Sequence, residues 1–244
     1  IFSEVGMWRA CVLVTVFALY GIGCKTGAEE HIKNGIAKCE NKDHKGAIED
    51  FTKAIEADSK SDVAFYNRGL CRKHLGEFQS AISDFDKAIE INPKYGDAFF
   101  NRGFCKFEMK ELKSAFEDYT KAVEINPKDA EAFYNRGICK FDLGDFTGAI
   151  DDYTSAIEVD PKYENAWYNR GVSREKMKDY TGVIDDFTKA IDLNPKAVDA
   201  WSGRGSAKKK MDNLQGACDD WAKAAESGYK QAQENIEKYC LEGN

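Results

Sequence analysis

Histidine is scarce in this chain: His31, His44 and His74 are the only three. None recurs with another ligand at a metal-binding spacing, so no metal centre and no cofactor is expected. There is no glycine-rich phosphate loop and no nucleophile elbow. Lys25-Thr26 follows Gly23, but Cys24 stands where a phosphate loop needs glycine. Adjacent carboxylates such as Asp151-Asp152 lie one apart on a helix and point different ways. These absences argue against catalysis and against a small-molecule substrate. The longest apolar run, Ala10–Gly23, has 14 residues, short of the roughly 18–20 that a membrane span needs. Basic charge is not in excess either. The formal net charge of −7 disfavours nucleic acid as a partner. Lys208-Lys209-Lys210 beside Arg204 is a local exception, read as a solvated helix face.

Proline is the most telling scarcity. Pro93, Pro127, Pro161 and Pro195 are the only prolines, and they lie 34 residues apart. Gly69, Gly103, Gly137, Gly171 and Gly205 keep the same interval. A fixed period of this length describes one helix–turn–helix unit repeated. The units run 28–61, 62–95, 96–129, 130–163, 164–197 and 198–231. Position 8 of each is glycine, which lets helix backbones approach closely. Position 20 is Ala47, Ala81, Ala115, Ala149, Val183 and Ala217; position 24 is Phe51, Phe85, Tyr119, Tyr153, Phe187 and Trp221; position 27 is alanine throughout. Those three positions share one helix face, small against large. Asn-Pro or Asp-Pro closes four of the units, because proline ends a helix and disfavours helical geometry in the residue before it.

On these residues the stretch 28–231 resembles the tetratricopeptide repeat family. The resemblance implies an all-α fold: antiparallel helix pairs stacked into a right-handed superhelical solenoid of six units. A short linker, 25–27, precedes them. A stretch at 229–241, with Ala232, Ile236, Tyr239 and Cys240 on one stripe, is expected to cap the last exposed core face. Repeats of this regularity favour one elongated domain over two ordinary ones.

Residues 1–24 read as a leader. Met7-Trp8-Arg9 precedes the apolar run, in the order of a secretory signal, and Met7 is the expected start. Gly21-Ile22-Gly23-Cys24 resembles a bacterial lipoprotein signal, with Gly21 where an aliphatic residue is usual. That resemblance, to bacterial tetratricopeptide lipoproteins, implies lipidation at Cys24 and a bacterial envelope location facing the periplasm or the surface. A plain cleaved signal, an uncleaved anchor and a cytoplasmic protein stay open as alternatives.

Cys71, Cys105 and Cys139 all occupy position 10, where later units have Ser173 and Ala207. Equivalent helices of neighbouring repeats lie about 8–10 Å apart, whereas disulfides need Cα atoms within about 7 Å. These three are therefore read as unpaired core thiols. Cys218 and Cys240 lie at nearly matching distances from the Ser227-Gly228 turn, a possible disulfide in an oxidising compartment.

Charge also repeats. Position 7 is Arg68, Arg102, Arg136, Arg170 and Arg204, position 11 is Lys or Arg, and position 23 is Asp in all six units. Cations four apart share a helix face and repel unless a carboxylate lies across from them, so structural ion pairs are expected.

In the family, positions 2, 5, 9, 12 and 13 of the first helix line the concave face. Carried over, the peptide-binding groove is Tyr66, Leu70, Phe100, Phe104, Phe107, Tyr134, Ile138, Phe141 and Tyr168. Asp97, Glu131, Asn165 and Asp199 at position 2, with Glu108 and Asp142 at position 13, give it an acidic edge. Such a floor suits a protein or peptide ligand with apolar and basic residues, such as a helix laid in a groove. Chaperone adaptors of the family clamp a C-terminal carboxylate with basic residues at positions 2 and 5. Here position 2 never carries Lys or Arg, so no such clamp is expected. The expected function is a non-catalytic interaction scaffold at the envelope. The alternatives are a cytosolic adaptor of the co-chaperone kind and an accessory subunit of a membrane complex.

Overall fold

The computed structural model describes residues 25–241; the leader, with Cys24, lies outside them. Every regular element among the described residues is a helix. They are α1 (Lys25–Glu40), α2 (His44–Ala57), α3 (Asp62–His74), α4 (Phe78–Ile91), α5 (Gly96–Glu108), α6 (Leu112–Ile125), α7 (Ala130–Asp142), α8 (Phe146–Val159), α9 (Glu164–Lys176), α10 (Tyr180–Leu193), α11 (Val198–Lys210), α12 (Leu214–Ala225) and α13 (Lys230–Tyr239). Residues 25–27, expected as a linker, are the first turn of α1. No helix among them is long and apolar enough to cross a membrane.

The described chain divides between Pro127 and Lys128 into two compact units. In the first, the described helices are α1–α6; each packs on its sequence neighbours, in order. The second contains α7–α13 and follows the same rule. Contacts with sequence neighbours are the signature of a repeat array.

Four positions explain why each helix pair closes. The aromatic at position 24 is fully buried, as in Phe85, Tyr153 and Phe187. It lies over the glycine at position 8: a Cβ added to Gly69 would stand 2.8 Å from Phe85, and one on Gly171 would stand 2.8 Å from Phe187. Alanines at positions 20 and 27, such as Ala81 and Ala88, are also fully buried. The turn inside each pair is equally regular. Position 15 takes a positive φ every time: Lys42 (61°), Gly76 (76°), Lys110 (65°), Gly144 (85°), Lys178 (61°) and Asp212 (60°). Four of those six residues carry side chains in a region that favours glycine. Side-chain caps start several second helices: Asp43, Asp145, Asp179 and Asn213 accept from the N–H groups of Gly46, Gly148, Gly182 and Gly216.

The last helix, α13, buries Ala232 and lays Tyr239 against Trp221, ring centroids 5.9 Å apart. Cys218 and Cys240 form a disulfide with Cα atoms 6.0 Å apart. Lys209 sits over the Tyr239 ring and Lys208 pairs with Asp220, so two of the three clustered lysines hold the cap and the last pair together.

Candidate binding surface

The charges of the helix pairs are absorbed internally. Asp84 binds Arg68 at 2.7 Å and Arg72 at 2.8 Å. Asp118 pairs with Arg102 and Lys106, Asp152 with Arg136 and Lys140, Asp186 with Arg170 and Arg174, and Asp220 with Arg204 and Lys208. In the first pair Asn34 replaces the arginine, and Lys38 reaches Asp50 at 2.7 Å. Each arginine also lies over the aromatic three residues earlier, as Arg68 does over Phe65 and Arg170 over Trp167. Several bond to the preceding repeat: Arg68 donates to Thr52 at 3.1 Å, and Arg170 to Thr154 at 3.0 Å. The carboxylates are 0–6 % exposed, so this basic stripe is spent on the helix stack and is not free for an anionic ligand.

The groove residues fall into two groups. In the first unit Tyr66, Leu70, Phe100 and Phe107 are buried. Tyr66 packs on Phe85 and Tyr95, and its hydroxyl accepts from Asn101 Nδ2 at 3.2 Å. Leu70 belongs to the same core, and Phe100 meets Tyr119 edge-on. The expectation that these four form an open floor is corrected: their side chains are packed into the helix stack. Phe104 is half-buried, with the Lys73 ammonium 5.1 Å from its ring.

In the second unit Tyr134, Ile138, Phe141 and Tyr168 are all half-buried. Tyr134 accepts a hydrogen bond from Asn169 at 2.9 Å and packs on Tyr153 and Tyr163. Burial pushes its phenol up to about 12 and that of Tyr168 likewise to about 12, so both stay protonated. Phe141 packs edge-on against Phe146, centroids 5.2 Å apart. Along α7, Glu131, Tyr134, Ile138, Phe141 and Asp142 follow helical spacing on one face, with the acidic residues at its two ends.

The cysteines require a second correction. Cys105 and Cys139 are free and buried, and burial pushes both thiols up to about 12. Cys71 is not free: it is bonded to Cys39, with Cα atoms 7.0 Å apart. The comparison of like positions misses this contact because position 12 of one repeat, not position 10, faces position 10 of the next. His44, the first residue of α2, lies beside the two sulfurs. One ligand atom from each of Cys39, His44 and Cys71 lies within 4.8 Å of the others. Sequence spacing alone did not reveal this group, since its members come from three helices.

The fold and these surfaces define a helical-repeat scaffold, built to present a constant surface. The chain belongs to the tetratricopeptide repeat family, whose profile matches residues 63–95, 96–129, 130–163 and 164–197; arrays of this family bind proteins and peptides and are generally non-catalytic. Among solved structures it is similar to YrrB, described as a tetratricopeptide protein with an unusual peptide-binding site: 26 % identity, TM-score 0.64, covering 71 % of this chain and 89 % of that one. It is also similar to MamA, at 25 % identity and TM-score 0.64, covering 68 % of this chain and 96 % of the other. PilF of Pseudomonas aeruginosa shares the fold at 14 % identity, TM-score 0.72, covering 86 % and 97 %. No curated protein sequence matches the chain.

Proposed function

We propose that this chain is an envelope-anchored scaffold that captures an apolar, partly basic peptide or helix on the first-helix face of its second unit. One observation carries the reading: Tyr134, Ile138, Phe141 and Tyr168 keep exposed surface, whereas the equivalent Tyr66, Leu70, Phe100 and Phe107 are buried. Preformed helices lose little ordering entropy on capture. Glu131 and Asp142 at the ends of the α7 face favour a ligand with positive charge outside its apolar anchors. The peptide-binding site described for YrrB supports the same class of ligand. Envelope location is supported by the order of the leader residues and by the Cys218–Cys240 disulfide, a bond that persists in oxidising compartments.

The test is selection of binders from a random peptide display library, followed by titration against the Ile138→Glu and Phe141→Ala variants. Loss of a central apolar anchor typically costs about 1–2 kcal/mol or more of binding. Selected peptides are expected to carry apolar anchors with Lys or Arg, and to weaken at least about tenfold on either variant. Peptides that bind both variants as tightly as the parent chain would place the ligand elsewhere.

A further inference from the structure

The contact between the first two helix pairs breaks the repeat in one chemically specific way. Position 12 is Phe107 and Phe141 in the third and fourth repeats, and position 17 is Leu112 and Phe146. These pairs are apolar, and Phe141 and Phe146 touch ring to ring. In the first repeat the same two positions are Cys39 and His44, and they meet Cys71 of the next repeat. No other pair of adjacent repeats has cysteine, histidine and cysteine at these three places. His74 adds a fourth side chain of the same kind, its ring stacked on that of His44 with centroids 5.0 Å apart and an 11° tilt.

His44 supplies an independent observation. Its Nδ1 is buried and has no hydrogen-bond partner. A buried ring nitrogen left unpaired destabilises the fold, and an imidazole nitrogen without a partner is available to a cation. Two sulfurs with a histidine nitrogen form a donor set selective for thiophilic closed-shell ions. Zinc bonds of about 2.0–2.3 Å separate tetrahedral ligands by roughly 3.5–3.8 Å. Ligand atoms already within 4.8 Å of one another reach that arrangement by small side-chain rotations.

We propose that, in the dithiol state of the chain, Cys39, His44 and Cys71 bind one Zn(II) that clamps α1 and α2 to α3. The two thiols release their protons and bind as thiolates, the histidine binds neutral, and a fourth position is left beside His74. The Cys39–Cys71 disulfide and the zinc site are alternatives, because sulfurs bonded to each other are no longer thiolates. Either state staples the first repeat, which lacks the arginine at position 7 that the later repeats use.

The experiment uses the full chain, reduced with a phosphine and stripped of metal, titrated with zinc against a chromophoric chelator and with Co(II) read by its thiolate-to-metal charge-transfer band. One equivalent is expected in the parent chain and in the Cys218→Ser/Cys240→Ser variant. Affinity is expected to fall by more than about a hundredfold in Cys39→Ser and in His44→Asn, exceeding the usual loss from an outer-shell partner. His44→Asn keeps both sulfurs and so separates a built site from a simple thiol pair. No stoichiometric binding by the parent chain, unchanged affinity in His44→Asn, or loss of the equivalent in Cys218→Ser/Cys240→Ser would each overturn the proposal.

Discussion

Arg170 holds Asp186 with both Nε and Nη2, the shortest contact 2.7 Å, while its guanidinium lies 4.7 Å from the centre of the Trp167 ring. Arg174 binds the other oxygen of the same carboxylate at 2.9 Å. Asp186 is fully buried. Removing it leaves a buried guanidinium uncompensated, and breaking a buried pair in this way typically costs about 3–5 kcal/mol. Asp186→Ala is therefore expected to lose stability on that scale in urea titration followed by circular dichroism. Lys121→Ala, at the exposed pair with Glu124, is expected to show no measurable change.

Two helical glycines, one at position 8 and one outside the repeat, give predictions of opposite sign. In Gly171→Ala the new methyl meets Phe187 at 2.8 Å, and overpacking of this kind costs about 1–3 kcal/mol. Gly27 also lies in a helix, with nothing within 4 Å of a built Cβ. Gly27→Ala is expected to stabilise α1 by about 0.5–1 kcal/mol. Equal effects at both sites would show that position 8 is not a packing contact.

Cys105 and Cys139 are expected to resist thiol reagents until the chain unfolds, since the thiolate is the reactive form and burial pushes each up to about 12 from an ordinary 9.0. A thiol raised in the folded state contributes its full stability below the unfolded value and loses it as pH rises through the folded one. Stability is thus expected to decline between about pH 9 and 12. Cys105→Ala and Cys139→Ala remove that group's share of the decline, as urea midpoints measured across this window will show.

Reducing the Cys218–Cys240 disulfide, which spans 22 residues, is expected to release α13. Closure of a loop of that size stabilises by about 3 kcal/mol. Limited proteolysis under reducing conditions is expected to cut near Ser227-Gly228 before any other helix is lost. Unchanged cleavage would mean that Tyr239 and Ala232 hold the cap without the bond.

The helix pairs, their glycine–aromatic contacts and the ion pairs made by the aspartate at position 23 of each repeat were legible because each repeats at a fixed interval. A periodic residue type exposes its own structural reason: small faces large, and cation faces carboxylate. The left-handed turn at position 15 was not legible, since Lys42, Lys110, Lys178 and Asp212 stand where only Gly76 and Gly144 give the usual signal. The binding surface was legible only in part. Spacing placed Tyr66 and Tyr134 alike, but whether a side chain is covered depends on its neighbours: Tyr66 is covered and Tyr134 keeps exposed surface. The Cys39–His44–Cys71 group was hidden because its members occupy three different repeat positions, so no column of the repeat displays it.

The central claim is that the first-helix face of the second unit holds a protein ligand. A photoreactive amino acid placed at Ile138, and separately at the exposed Lys189, tests it in the producing cell. The account predicts a discrete crosslinked protein adduct from Ile138 and none from Lys189. Adducts from Lys189 alone, or the same adducts from both positions, would contradict it.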